Sequence, residues 1–246
     1  MSQLVAVQES GKSLALPGEV RLVGGAPFIA YGESVNPQHI VGQILKFSKG
    51  EYLAGENAEL IPVGTKLVVS VDELAIGWVR WQGGKPTEHR MVRVADNQVP
   101  AKRADLGDLD QSVWEKDEVS GEPRDPWSFE NYLPMSSEEG ELFTFATSSR
   151  GGIGAVGKLS TFYGRRLHQH PGELPVIELG VGTYQHSNKA YGRIKFPEFN
   201  VVGWTSKSVF NRALAAAGLI DADAVDGLVS VEAKPADAEL ADSIPF

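Results

Sequence analysis

The sequence predicts a mainly β chain of the α+β class, with several short strands, one helix and an acidic C-terminal tail outside the folded part. Three observations carry that expectation. Runs rich in β-branched and aromatic residues recur between glycine- and proline-bearing turn signals. One stretch, residues 154–168, has helical character. From residue 219 onward no aromatic residue occurs until the last position, while Ala and Asp dominate.

Taken in order, Lys66 to Asp72 (KLVVSVD) reads as a strand after the turn signal Pro62-Val63-Gly64. Residues 78–82 and 88–94 read as two strands joined by Gly83-Gly84-Lys85-Pro86, a hairpin connection. Residues 105–140 are rich in carboxylates, Pro and Gly, yet contain Trp114, Trp127, Phe129 and Tyr132, which need cover. They are expected to form an aromatic-pinned insertion. Residues 141–147 read as a strand, 154–168 as the helix and 174–184 as a further strand, followed by short strands at 190–196 and 199–204. Strand, helix and paired strands match the second half of an OB-fold, a partly open barrel with its helix between the third and fourth strands. The expectation is an OB-like domain over residues 1–218 with an acidic insertion at 105–140. Another β-barrel or sandwich is the alternative.

Composition removes several functions. The 246 residues contain no cysteine, which excludes disulfides, thiolate metal sites and a cysteine nucleophile. Residues 1–20 lack a basic segment followed by an apolar one, and no run approaches the roughly 18 apolar residues of a membrane span. A cytoplasmic protein without membrane association is expected. The net charge of −9 argues against nucleic acid only as an average. Residues 1–104 carry +1, 105–140 carry −9, 141–218 carry +5 and 219–246 carry −6. That alternation suggests an anion-binding body with acidic appendages.

The tail, residues 219–246, has too little apolar area to offset ordering entropy and is expected to be flexible. Its tip nevertheless reads Asp242, Ser243, Ile244, Pro245, Phe246. An acidic tail with this tip resembles that of bacterial single-stranded DNA-binding proteins, which close on Asp-Asp-Ile-Pro-Phe or a near variant. Asp242, Ile244, Pro245 and Phe246 match, and Ser243 replaces the second acid. The resemblance implies that the tip docks into proteins of replication, recombination and repair, with Phe246 as anchor. The body resembles a family of uncharacterised phage and prophage proteins through the segments GWVRWQGGKP, FTFATSSRGGIGAVGKL and KAYGRIKFPEF. That likeness implies a mobile-element origin and supplies no activity.

Gly152-Ile-Gly154-Ala-Val-Gly157-Lys158 fits G-x-G-x-x-G and nearly fits a P-loop. Leu159 stands where the Mg²⁺-binding hydroxyl belongs, and short strands rather than βαβ units follow. A glycine-rich turn at a helix N-terminus, offering N–H groups to a DNA phosphate, is the competing reading. His168, His170 and Glu173 do not converge on a metal, and Ser148 and Ser149 lack a base. Cations interleaved with aromatics carry more weight. Strand alternation places Tyr191, Arg193 and Lys195 on one face, with Ile194 and Phe196 on the other. Trp78 with Arg80, Tyr163 with Arg165 and Arg166, and Tyr184 with Lys189 repeat the theme, while Arg90, Arg93, Arg150 and Lys158 add charge. Stacking rings beside phosphate partners suit sequence-tolerant binding of single-stranded DNA. The expected function is such binding, without catalysis or cofactor, plus partner recruitment through the tip. Homo-oligomerisation is left open. The alternatives are an interaction protein that uses the tip without gripping DNA, and a nucleotide-dependent enzyme built on the Gly152–Lys158 loop.

Overall fold

The computed structural model describes residues 39–117, 120–185, 187, 189 and 192–221. Tyr191 and the tip residues Asp242, Ile244, Pro245 and Phe246 lie outside the described residues. The described residues are mainly β, with ten strands in one mixed sheet and two helices.

The first three strands, β1 (Gln43–Ser48), β2 (Glu51–Ala54) and β3 (Glu59–Ile61), form an antiparallel meander. β4 (Lys66–Val69) follows the expected turn, in which the Thr65 N–H donates to the Pro62 carbonyl at 3.2 Å. A short turn of 3₁₀ helix at Val71–Glu73 leads into β5 (Ala75–Gln82) and β6 (Lys85–Arg93). These two pair as the hairpin read from Gly83 and Gly84, whose φ values of +56° and +72° supply the left-handed turn that glycine permits. Then come β7 (Trp127–Ser136), β8 (Leu142–Thr147), α1 (Arg150–Leu167), β9 (Glu173–Gln185), β10 (Arg193–Ser206) and α2 (Lys207–Ala216).

The strands pair in the order β10-β9-β4-β7-β8-β1-β2-β3, and β5 and β6 branch from β7. All pairs are antiparallel except β1 with β8. The path is not closed among the described strands. Its first and last thirds nevertheless meet side by side, because the buried Tyr52 hydroxyl of β2 donates to the Gly180 carbonyl of β9 at 2.8 Å. The core lies between them and includes Leu45, Leu67, Leu133, Phe145, Ile177 and Leu179, with Val156 and Leu159 of α1 packed in.

Four expectations need correction. The described residues form two helices rather than one. α2 carries a serine cap, Ser206, whose side chain accepts from the Ser208 N–H, and it buries Phe210 and Ala213 in the helical rhythm. The acidic insertion does not extend over 105–140: Trp127–Ser136 is the branching strand of the sheet, paired with β4, β5 and β8. Only the chain between β6 and β7 is excursion. The Gly152–Lys158 run is not a loop but the first turns of α1, capped by Ser149, whose hydroxyl accepts from the Gly152 N–H at 3.0 Å.

Glycine there serves close packing. A Cβ at Gly152 would lie 2.0 Å from Thr147 Oγ1, and one at Gly151 would lie 2.8 Å from Phe196 Cβ. The two short strands expected at 190–204 are one edge strand, β10, with a register shift between Val201 and Gly203. Pro197 within it is tolerated because one side of an edge strand needs no partner.

Candidate nucleic-acid interface

Seven of the expected binding residues fall into two regions with different surroundings. The first is the arm made by β5, β6 and the start of β7. Trp78 packs edge-to-face on Phe129, with ring centroids 5.3 Å apart, and its indole N–H donates to the Ala101 carbonyl at 2.8 Å. Arg80 is paired with Asp108 at 2.9 Å, Arg90 with Glu88 at 2.6 Å and Arg93 with Glu73 at 3.2 Å. The Arg90 guanidinium also lies 5.5 Å from the Trp127 ring.

Asp108 is the hub of this region. Its carboxylate also accepts from the Trp127 indole at 2.9 Å, and its carbonyl accepts from the Trp114 indole at 2.8 Å. The Arg80 bond, then the Trp127 bond, hold the Asp108 carboxyl below the usual range. Arg103 is locked on Asp125 at 2.7 Å. The excursion therefore supplies the acid for Arg80, while Arg90 and Arg93 are answered by Glu88 of β6 and by Glu73 just before β5. The four arm candidates Trp78, Arg80, Arg90 and Arg93 are engaged within the chain.

The second region is the trough between α1 and β10. β10 crosses α1 closely, because Gly151 admits the Phe196 side chain. Beside that contact opens a cavity of about 720 Å³ lined by Arg150, Lys158, Tyr184, Phe196, Phe199 and Asn200, with Glu198 as its acid. Tyr184 and Phe196 lie ring to ring at 6.0 Å, and Tyr184 is 48% exposed. Arg150 and Lys158 are exposed and have no ion pair among the described residues. Two cations without an ion pair among the described residues, the exposed Tyr184 ring and the half-buried Phe196 ring thus share the cavity with one carboxylate.

Other expected residues are placed differently. Tyr163 is buried at 8% exposure within the main core, where burial pushes its hydroxyl up to about 12. It presents no face to a base, which corrects its assignment as a stacking residue. Arg166 is held by Glu173 at 2.7 Å and lies 4.5 Å over the Trp204 ring. The Arg166 bonds lower the Glu173 carboxyl, so Glu173 serves an ion pair. Arg165 is exposed.

Arg193 and Lys195 are exposed on the opposite face of β10 from Phe196, as the alternation predicted; neither lines the cavity, and the Lys195 chain runs against Gly50. Lys189 is exposed in the connection between β9 and β10. Phe196, Phe199 and Asn200 were not among the expected binding residues. Their signal was available, since a helix rich in small residues leaves the facing strand's side chains uncovered.

Among the described residues no group of His, Asp and Glu is arranged to hold a metal ion, and no helix is long and apolar enough to cross a membrane. Comparison with protein-family models, curated proteins and solved structures finds no match to this chain.

Proposed function

We propose that the protein binds single-stranded DNA, without strong sequence preference, in the trough between α1 and β10. The observation that carries this reading is the cavity itself: Arg150 and Lys158, without an ion pair among the described residues, stand beside the exposed Tyr184 ring and the half-buried Phe196 ring. Cations supply the salt-sensitive part of strand affinity, and each stacked base adds about 1–3 kcal/mol. No metal or nucleotide is needed for such binding: Gly151 and Gly152 are required by close packing against Phe196 and Thr147, and Gly154 leaves room in the cavity.

The finer fold reading belongs to the same proposal. β4, β7 and β8, then α1, then β9 and β10, with β9 returning to pair with β4, support an OB-like core. On this reading the β5–β6 arm and its excursion are inserted between the first and second barrel strands. The β1–β2 hairpin stands in the gap between β8 and β10, tied across by Tyr52. Recruitment of replication and repair proteins through Asp242, Ile244, Pro245 and Phe246 completes the proposal and rests on the tip sequence alone.

Fluorescence polarisation with labelled oligo-dT and duplex DNA over a salt series tests the reading. It expects preference for oligo-dT and a falling affinity with salt, with a log–log slope of about −0.7 per phosphate neutralised. Absence of oligo-dT binding at low salt would overturn it and favour the interaction-protein alternative.

A further inference from the structure

The cavity beside Arg150 is not the end of the trough. A second depression is lined by Lys158, Leu159, Phe162, Phe199, Asn200 and Val201, so three residues are common to both. The two join along one side of α1. Positions 150, 154, 158, 162 and 165 recur at helical spacing and share that side.

At the far end, the Phe162 ring is 51% exposed and stacks on Trp204, with centroids 5.8 Å apart and planes 26° from parallel. A half-exposed phenylalanine in an offset stack on a tryptophan is an apolar platform open to solvent over about half its surface. Arg165, exposed one turn on, adds a cation beside it. Along the wall, a Cβ at Gly154 or Gly157 would meet nothing within 4 Å, so packing within the chain does not explain either glycine. Each weakens a helix interior relative to alanine. Gly154 lines the cavity, where its missing side chain leaves room for a ligand.

We propose that the trough continues along α1 to Phe162 and holds three to four nucleotides of single-stranded DNA, with Phe162 as the stacking platform at the end remote from Tyr184. This rests on the strand-binding reading above and adds its length, its direction and its terminal contact. Arg150 to Arg165 spans about 22 Å of helix at about 1.5 Å per residue. Bases spread to roughly twice their stacked spacing of about 3.4 Å fill that length with three to four nucleotides. The size sits at the lower end of the range of about 4–16 per strand-binding fold.

The test is competition by unlabelled oligo-dT of two to eight nucleotides against a labelled long oligo-dT, using the full chain. The wild type is expected to gain affinity steeply up to about four nucleotides and only slowly beyond. Phe162→Ala is expected to weaken the longer oligomers about tenfold, leave the dinucleotide unchanged and flatten the length dependence. Phe162→Trp, which keeps the platform, restores it. Gly154→Leu fills the trough at a position that contacts nothing else, so it is expected to lose binding at every length while circular dichroism shows an intact fold. Equal length profiles for wild type and Phe162→Ala, or a steep gain that continues through eight nucleotides, would overturn the inference while leaving strand binding standing. A wild type that ignores every oligomer at low salt overturns the underlying reading as well, and that outcome is seen without any variant.

Discussion

The arm and the trough are built from the same kinds of residue and reach opposite ends. In the arm, Trp127, Arg80 and Arg90 meet acids of the same chain and Trp78 meets the Ala101 carbonyl and the Phe129 ring, so every one of these rings and cations has an internal partner. In the trough, Arg150, Lys158, Tyr184 and Phe162 have open faces. The difference is long-range. Arg80 and Asp108 lie 28 positions apart, and nothing in the local alternation of β5 reports that the excursion returns to neutralise it. Aromatic and basic residues side by side therefore mark a surface able to bind an anion. Whether that anion comes from outside or from the chain itself is decided by topology.

The largest expected effect concerns stability in the arm. Trp127 is 4% exposed and holds the excursion through Asp108. Trp127→Ala is expected to cost about 3–5 kcal/mol in urea denaturation. Oligo-dT affinity of the protein that remains folded should stay unchanged. A parallel loss of affinity would break the division between the two regions.

A smaller effect of opposite sign is expected in the trough. Gly154→Ala removes a helix-interior glycine whose Cβ meets nothing, and should stabilise the chain by about 0.5–1 kcal/mol, read as a higher midpoint of thermal unfolding. A lower midpoint would mean that the position is packed rather than open.

The smallest effect is a pH dependence. The Asp108 carboxyl is lowered by its bonds from Arg80 and Trp127, so the folded state holds its proton less tightly than the unfolded state does. The stabilisation is present above the ordinary aspartate value of about 3.9 and fades as pH falls through the lowered folded value. The stability difference between wild type and Asp108→Asn should be larger at pH 7 than at pH 3, measured by urea midpoints. A difference that grows on acidification would contradict the assigned role.

Local patterns in the sequence accounted for the hairpin at Gly83-Gly84, the strand at 141–147 and the helix in the segment that α1 occupies. Each is set by neighbours a few residues apart. What escaped depended on distant partners or on competing composition. β7 carries Glu130 and Asn131 in its middle and sits at the end of an acidic block, so its central place follows only from its pairing with β4, β5 and β8. Glu130 is accommodated because the Trp81 indole donates to it at 3.1 Å, and burial raises its carboxyl. α2 was legible in the cap Ser206 and the spacing of Phe210, Ala213 and Leu214, but its alanine run resembles the tail that follows.

The site was half legible. Arg150, Lys158 and Tyr184 were read from charge and aromaticity, whereas Phe196 was placed only on the face of its strand opposite Arg193 and Lys195. It does point away from Arg193 and Lys195, yet the bare glycine side of α1 leaves it facing a cavity instead of core.

If the proposal holds, strand affinity resides in the trough and not in the arm. The most direct test is a salt-series titration of labelled oligo-dT with wild type, Arg150→Ala/Lys158→Ala and Arg80→Ala/Arg90→Ala. Loss of two phosphate contacts should weaken binding by the trough variant about tenfold or more at low salt and make its log–log salt slope shallower by about 1.4, while the arm variant follows the wild type. A trough variant indistinguishable from wild type, with the loss appearing in the arm variant, would contradict the account.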